Sequence, residues 1–510
     1  MSKGNLRGLI LRTGLVVMAL MLSAAAVEIA LRLADGLPLS TITLPLPGPE
    51  RGRQDARTTA DGRHVPAIPL AAGVDPAWYA LDPPPRMDST PWTPDTAARE
   101  ARYRLTDPLG AFFVWNRAYL TRELCAGSTV GSLGVLDDFY VFDPPDGKEY
   151  PIYRHLPYVH AAQWFVPNRF GWRGPDVTVT KPPNTIRIAF LGASTTIGSY
   201  HFRFVHTELL AHWLNLWMAG RGGYGIEVMN LARTGVDVHS TAAVVEQELL
   251  PLEPDLAIYY EGANSFRPGQ MMNLPRDLAF PTARPNVVLK WRSEYYSAAA
   301  RLLRPLVDTW LSDDGAEPEK AVFDIVWPPQ VDEFDPDVTQ PSLPMTMETV
   351  VAKLDRMRRA LHGTGGRLAL ASFVWLVEDG LRLELPRDLT LFNYLNTTYY
   401  PLAYAQLRRT ADFQNRVFRN FTRVYDLPFL DVDAQMPRDP LLFIDAIHMT
   451  ERGLRLQAWI YLQLLVPWLD AEIAAGRLPR LAREPRTTHP GIVPEAYKIV
   501  SRAALTAGCP

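Results

Sequence analysis

A chain of 510 residues, 47% hydrophobic and 21% charged, is long enough to bury a sizeable core and to hold more than one domain. Its formal net charge of −3, without a Lys/Arg cluster, gives no sign of a nucleic-acid partner. Two cysteines, Cys125 and Cys509, exclude a disulfide framework or a zinc knuckle and leave open one bridge or two unrelated thiols.

Lys3, Arg7 and Arg12 precede an uncharged run from Thr13 to Val27, and Glu28 and Arg32 follow. Positive charge ahead of an apolar segment predicts that the first residues stay in the cytoplasm and the body of the chain is exported. The uncharged run alone is shorter than the roughly 20 residues that span a bilayer. Continuing helically through Ile29, Ala30, Leu31 and Leu33, with Arg32 snorkelling outward, makes up the length. Residues 1–35 are therefore read as a signal anchor, a single-pass helix of the inner (cytoplasmic) membrane with the rest of the chain on the periplasmic, extracytoplasmic side. Secretion after cleavage behind Ser23-Ala24-Ala25-Ala26 is the alternative, and a buried core helix a third reading.

Residues 36–165 read as a linker and a loop-rich accessory region. Pro, Gly and Arg dominate from Leu37 to Met87 with little periodicity, the signature of a linker. Residues 100–165 regain aromatics, among them Tyr103, Trp115, Phe139, Tyr153 and Trp164, which suit a small core or a sugar-stacking surface.

Residues 166–475 alternate strand and helix. Ile186–Leu191 is a short apolar strand that breaks at Gly192, and Ser194, Thr195 and Thr196 follow. Apolar residues at helical spacing run from Phe202 to Met218, and a second strand, Ile226–Met229, ends in NLARTG. Helix Thr241–Leu250 leads to strand Leu256–Tyr260, which ends in EGANS. Helix Met347–Leu361, strand Arg367–Val374, helix Tyr404–Val424 and strand Phe429–Val432 continue the alternation. DAIHMTERG, from Asp445 to Gly453, then opens a last helix through Leu465, and residues 476–510 form a C-terminal tail. This pattern predicts an α/β fold: a three-layer α/β/α, flavodoxin-like, doubly wound parallel sheet. Residues 266–345 are a cap-like insertion, with a helical pattern from Lys290 to Leu311 that would overhang the pocket or pack elsewhere.

Ligands of open parallel sheets bind at the carboxyl ends of the strands, so the motifs that end these strands can converge. Together they resemble the SGNH or GDSL hydrolases, named for a serine, glycine, asparagine and histidine in four successive blocks. Ser194 in GASTT matches the first block, Gly235 in NLARTG the second and Asn264 in GANS the third; Asp445 and His448 in DAIH match the last. NRFGWRGP, from Asn168, also resembles the segment ahead of the nucleophile in membrane-anchored bacterial members. Two positions depart from the family pattern: Ala193 and Ser265 stand where acidic residues usually hydrogen-bond nearby backbone.

The resemblance implies a catalytic Ser194, His448 and Asp445, with an oxyanion hole made by the backbone N–H groups of Ser194 and Gly235 and the side-chain amide of Asn264. It implies no metal or cofactor, and no His/Cys/Asp cluster has ligand spacing. Read singly, the same residues have blander roles: Ser194 as a helix N-cap, Asn264 as a turn residue, Asp445 and His448 as a surface pair. Thr450 reads as the N-cap of the last helix and Gly453 as a packing glycine. His201, His206, His212 and His239 read as ordinary core or surface histidines.

The expected activity is hydrolysis of an acetyl or short acyl ester on an envelope glycan or lipid through an acyl-serine intermediate. An O-acetyltransferase acting on cell-surface polysaccharide needs the same triad, and a silent glycan-binding protein could use the same fold. A nucleotide-binding turn after Gly192 would need further glycines or a P-loop lysine where Ser194, Thr195 and Thr196 stand.

Overall fold

The structure, a computed structural model, describes residues 3–34, 41–43, 68–84, 138–142, 153–155, 164–200, 202–221, 223–271, 325–378, 381–384, 387–388, 391–392, 394–395, 404–482 and 497–501. The expected helix Lys290–Leu311, both cysteines and His201 lie outside the described residues. Along the chain come α1 (Lys3–Ala34), β1 (Thr41–Thr43), β2 (Asp138–Phe142), β3 (Tyr153–Arg154) and β4 (Thr185–Gly192). The helical turn α2 (Ser194–Ile197), α3 (His206–Ala219), β5 (Gly225–Asn230), α4 (Val238–Val244) and β6 (Leu256–Tyr260) follow. Then come α5 (Met347–Gly363), β7 (Arg367–Ala371), β8 (Arg382–Glu384), α6 (Tyr404–Tyr425), β9 (Phe429–Leu430), α7 (Val432–Gln435), α8 (Glu451–Ala474) and β10 (Tyr497–Ser501).

Two compact units divide these elements. The first comprises Met1–Arg53, Met272–Val326 and Val377–Arg408. It holds α1, whose stretch Arg12–Ala34 is long and apolar enough to cross a membrane, and the antiparallel pair β1·β8. Arg32 is 4% exposed and its Nε donates to Glu28 Oε1 at 2.7 Å, one helical turn back, so these two opposite charges neutralise each other.

The second unit comprises Gln54–Met271, Trp327–Leu376 and Arg409–Pro510. Its five-stranded sheet is parallel throughout, in the order β5-β4-β6-β7-β9, the flavodoxin-like arrangement. Period-two alternation sends neighbouring side chains to opposite layers. Tyr260 of β6 and Phe190 of β4 meet Tyr461 of α8, whereas Tyr259 meets Phe418 of α6. α8 packs with α3 on the first face, and α4 packs with α5 in the other layer. A three-layer α/β/α body results.

Element ends differ from expectation where side chains take over the backbone's hydrogen bonds. β7 stops at Ala371 rather than Val374, because the N–H and C=O of Phe373 are taken by the side chain of Asn415 in α6. β9 stops at Leu430 because Val432 already starts α7. α4 begins at Val238, where Asp237 caps it by accepting from Ser240 N at 3.0 Å. α8 continues past Leu465 to Ala474 with Pro467 inside it, because Leu469 beyond the proline is fully buried.

Residues 68–84, expected to be linker, dock on the second unit. Asp75 and Pro76 start a single 3₁₀ turn, Pro76–Ala80, too short to show periodicity in the sequence. Its Tyr79 ring packs edge-on against Trp459 at 5.4 Å and beside Trp213 at 6.2 Å, and Trp213 Nε1 donates to Leu81 O. The tail is likewise tied in: β10 pairs with β2 in a small antiparallel sheet, β10-β2-β3.

Charge inside the frame is paired. Arg187, fully buried in β4, donates to Glu227 and to the carbonyls of Leu252 and Thr178. Asp255 accepts from Lys181 Nζ and Arg187 N. Glu248, also fully buried, accepts both Arg233 Nη2 contacts and Trp172 Nε1, and pairs with Arg154. Burial alone would raise its carboxyl, but the Arg154 and Arg233 charges and the donated hydrogen bonds hold it below its ordinary range.

His206 has no such partner. It opens α3 fully buried between the Phe190 and Tyr461 rings, and neither ring nitrogen finds an acceptor or donor among the described residues. Burial, with Arg173 adding to it, pushes its pKa down from 6.5 to about 3. The folded protein thus keeps His206 neutral where the unfolded chain protonates it, so stability falls as pH drops from 6.5 towards 3. Replacing His206 by Phe removes this component. Denaturant unfolding should lose about 2 kcal/mol less between pH 7 and pH 5 in His206→Phe than in wild type; equal losses would refute the burial argument.

Candidate active site

At the carboxyl edge of the sheet the first motif turns sharply from β4 into α2. A Cβ at Gly192 would overlap both Thr196 Oγ1 and the carbonyl oxygen of Tyr260, so the turn needs glycine for close approach. That approach lets Thr196 Oγ1 donate to Tyr260 O at 2.6 Å, binding the nucleophile turn to the end of β6. Asn230, the last residue of β5, donates through Nδ2 to Thr196 O at 2.9 Å and fixes the other side. Gly198, at φ 71°, ends the turn. Ser194 is therefore the first residue of a helical turn rather than its N-cap, which is Ala193.

The last motif folds into a closed loop. Asp445 Oδ1 accepts from the backbone N–H groups of Ile447, at 2.8 Å, and His448, at 2.7 Å. Ile444 N donates to His448 O, and Leu376 N to Ala446 O, both at 2.7 Å. Asp445 Oδ2 lies 2.6 Å from His448 Nδ1. A carboxylate only accepts, so Nδ1 carries the proton and Nε2 is left as an acceptor. Nε2 lies 2.8 Å from Ser194 Oγ. Asp445 is fully buried, His448 is 2% exposed and Ser194 6%. Thr450 caps α8 by accepting from Gly453 N, and a Cβ at Gly453 would overlap Leu442 O, as expected of a packing glycine.

The second and third motifs meet each other. Gly235 has φ 75° in the loop after β5, a left-handed conformation that favours glycine. Asn264, after β6, donates through Nδ2 to Val236 O at 2.8 Å, and Ser265 Oγ accepts from Val238 N at 2.8 Å. One N–H of the Asn264 amide is thereby engaged and one remains. Among the described residues, the backbone N–H groups of Ser194 and Gly235 donate to no protein acceptor.

Ser194, His448 and Asp445 thus form one hydrogen-bonded chain, and the Gly235 and Asn264 loops are laced to each other. None of the described histidines His206, His212 and His239 bonds to Ser194. No group of three or more His, Cys, Asp or Glu side chains that could hold a metal occurs among the described residues.

Three supporting residues escaped sequence reasoning. Arg173, in NRFGWRGP, donates to the carbonyls of Ser199, at 2.8 Å, and Phe202, at 2.7 Å, and bridges to Asn230. Arg233, in NLARTG, anchors its loop on Glu248. Glu261, in YEGANS, accepts from Ala263 N at 2.8 Å and Asn264 N at 2.6 Å. The only signal for it was an acidic residue closing an otherwise apolar strand.

No protein-family model matches this chain, and no curated protein sequence matches it. Solved structures similar to it include a GDSL-like lipase from Bacteroides thetaiotaomicron, with 9% identity, 56% of this chain and 88% of that chain covered, and a TM-score of 0.27. A lipase/acylhydrolase from Enterococcus faecalis has 13% identity, covers 58% of this chain and 100% of its own, and has a TM-score of 0.29. An acetyl xylan esterase from Geobacillus stearothermophilus, in a point-variant form, has 14% identity, covers 55% and 93%, and has a TM-score of 0.29.

The tight turn at Gly192 is directly testable. Gly192→Ala should lower stability by about 2–3 kcal/mol in denaturant unfolding, as overpacking against backbone does. Gly220→Ala, with open space around its added Cβ, should stay within about 0.5 kcal/mol. Equal midpoints for the two variants would show that the β4 turn has room to spare.

Proposed function

We propose that this protein is a serine ester hydrolase of the SGNH/GDSL type, acting through an acyl-serine intermediate. One observation carries the reading: the unbroken chain from Asp445 Oδ2 through His448 to Ser194 Oγ, with contacts of 2.6 and 2.8 Å, at the carboxyl edge of a parallel sheet.

In this reading His448 Nε2 takes the Ser194 proton as Oγ attacks the ester carbonyl carbon, because a free hydroxyl is a weak nucleophile at neutral pH. Asp445 holds the tautomer and stabilises the imidazolium. The oxyanion is met by the N–H groups of Ser194 and Gly235 and the remaining N–H of Asn264 Nδ2. His448 returns the proton to the departing alcohol, then activates water, which splits the acyl-serine into free acid and serine.

The apolar helix α1 supports a chain held at the inner membrane, or exported behind a signal sequence, with the catalytic body outside the cytoplasm. Esters on envelope glycans or lipids are then the substrates at hand.

Full-length protein with a short-chain nitrophenyl ester tests this. Ser194→Ala should lose at least about 10³-fold in kcat, and Asp445→Asn about 10⁴-fold through the wrong tautomer. Asn264→Ala should lose about 10²-fold. A Ser194→Ala rate equal to wild type would end the esterase reading.

A further inference from the structure

β6 is an apolar strand, LAIYY, buried along its whole length, and the residue that follows it is a carboxylate. Glu261 is 1% exposed. Burying a carboxylate is expensive unless several donors meet it. Three do. Oε1 receives the N–H of Ala263 at 2.8 Å and of Asn264 at 2.6 Å, and Oε2 receives the hydroxyl of the fully buried Tyr259 at 3.1 Å. Even so, burial and the neighbouring Asp237 hold its carboxyl above the ordinary range, so the charge is kept at a cost.

The geometry shows what that cost secures. The side chain folds forward over its own turn and takes the backbone N–H of Asn264, the residue whose amide faces the second motif. The other end of Asn264 is tied through Nδ2 to Val236 O, the residue next to Gly235. A turn pinned at the backbone and again at the amide leaves the second Nδ2 proton only one direction. Gly262 gives the turn no slack, because a Cβ there would press on Phe373 and Gln414 Oε1. Gln414 Nε2 in turn donates to Gly262 O at 2.7 Å.

We propose that Glu261 is a positioning residue for the oxyanion site: its carboxylate, bonded to the backbone of Ala263 and Asn264, aims the Asn264 amide at the developing oxyanion. This rests on the esterase reading above. Glu261 touches no reacting atom. Its influence runs through Asn264, so the two substitutions must not be independent.

The experiment is a double-mutant cycle on full-length protein with a nitrophenyl acetate substrate. Glu261→Ala should lower kcat about 10- to 100-fold with KM within about 2-fold, since an oxyanion donor acts in the transition state. In an Asn264→Ala background, the same change should cost less than about 2-fold more. Glu261→Gln keeps the oxygen that accepts both N–H groups and should stay within about 3-fold of wild type. Glu261→Asp, one methylene shorter, keeps the charge but loses the reach and should fall about 10-fold. The Gln and Asp variants decide the matter where the Ala variant fails to fold. Losses that add fully in the double mutant, a wild-type kcat in Glu261→Ala, or a Gln variant weaker than the Asp variant would each overturn the proposal. Those outcomes leave a Ser194-dependent esterase standing. An inactive wild type, or one matched by Ser194→Ala, removes the esterase reading and this inference with it.

Discussion

The architecture of the site depends on the absence of a single carbon atom. Where β4 turns into α2, the backbone at Gly192 runs so close to Tyr260 O and Thr196 Oγ1 that no side chain fits. That closeness permits the Thr196–Tyr260 hydrogen bond, which joins the end of β4 to the end of β6. Asn230 adds the end of β5 through Thr196 O. Three strand ends are thus gathered around one helical turn, and Ser194 is the first residue of that turn. Had the strands ended a residue apart from this register, the same side chains would point to opposite faces of the sheet.

Rigidity at this edge is supplied from beneath by buried ion pairs. Arg187, Lys181 and Asp255 knit the amino ends of the strands, and Glu248 gathers Trp172, Arg154 and Arg233. Replacing such pairs by apolar residues often leaves stability unchanged or improved, so their presence is weak evidence for stabilisation. What they do supply is orientation: Arg233 lies in the same loop as Gly235, and Arg173 holds the carbonyls of Ser199 and Phe202 just beyond the nucleophile turn. Charge in the core and precision at the rim are linked through short stretches of chain.

The same economy governs the third motif. Ser265 stands where an acidic residue was expected, and its hydroxyl reaches only to Val238 N. A carboxylate is nevertheless present in that turn, supplied by Glu261 from the strand side. Reading positions one at a time records a departure at Ser265. In space the turn has its acceptor.

Much of the fold was legible because it is written in local chemistry. The alternation of short β-branched strands with amphipathic helices is a periodicity of 2 giving way to 3.6, and it identified the parallel sheet and placed each motif just after a strand or before the last helix. Ser194, Gly235, Asn264, Asp445 and His448 were singled out by the resemblance of four motifs, each of which follows a recognisable strand or precedes the last helix. Residues 68–84, β10, Arg173, Glu248 and Glu261 were not. Their partners lie far away in the chain, as with Trp213 and Leu81 or Trp172 and Glu248, or depend on how a turn folds back, as at Glu261. Periodicity reports which face a residue presents, and composition reports that a core will form. Which buried donor meets which acceptor is decided only when packing brings them within about 3 Å, the range over which a hydrogen bond forms.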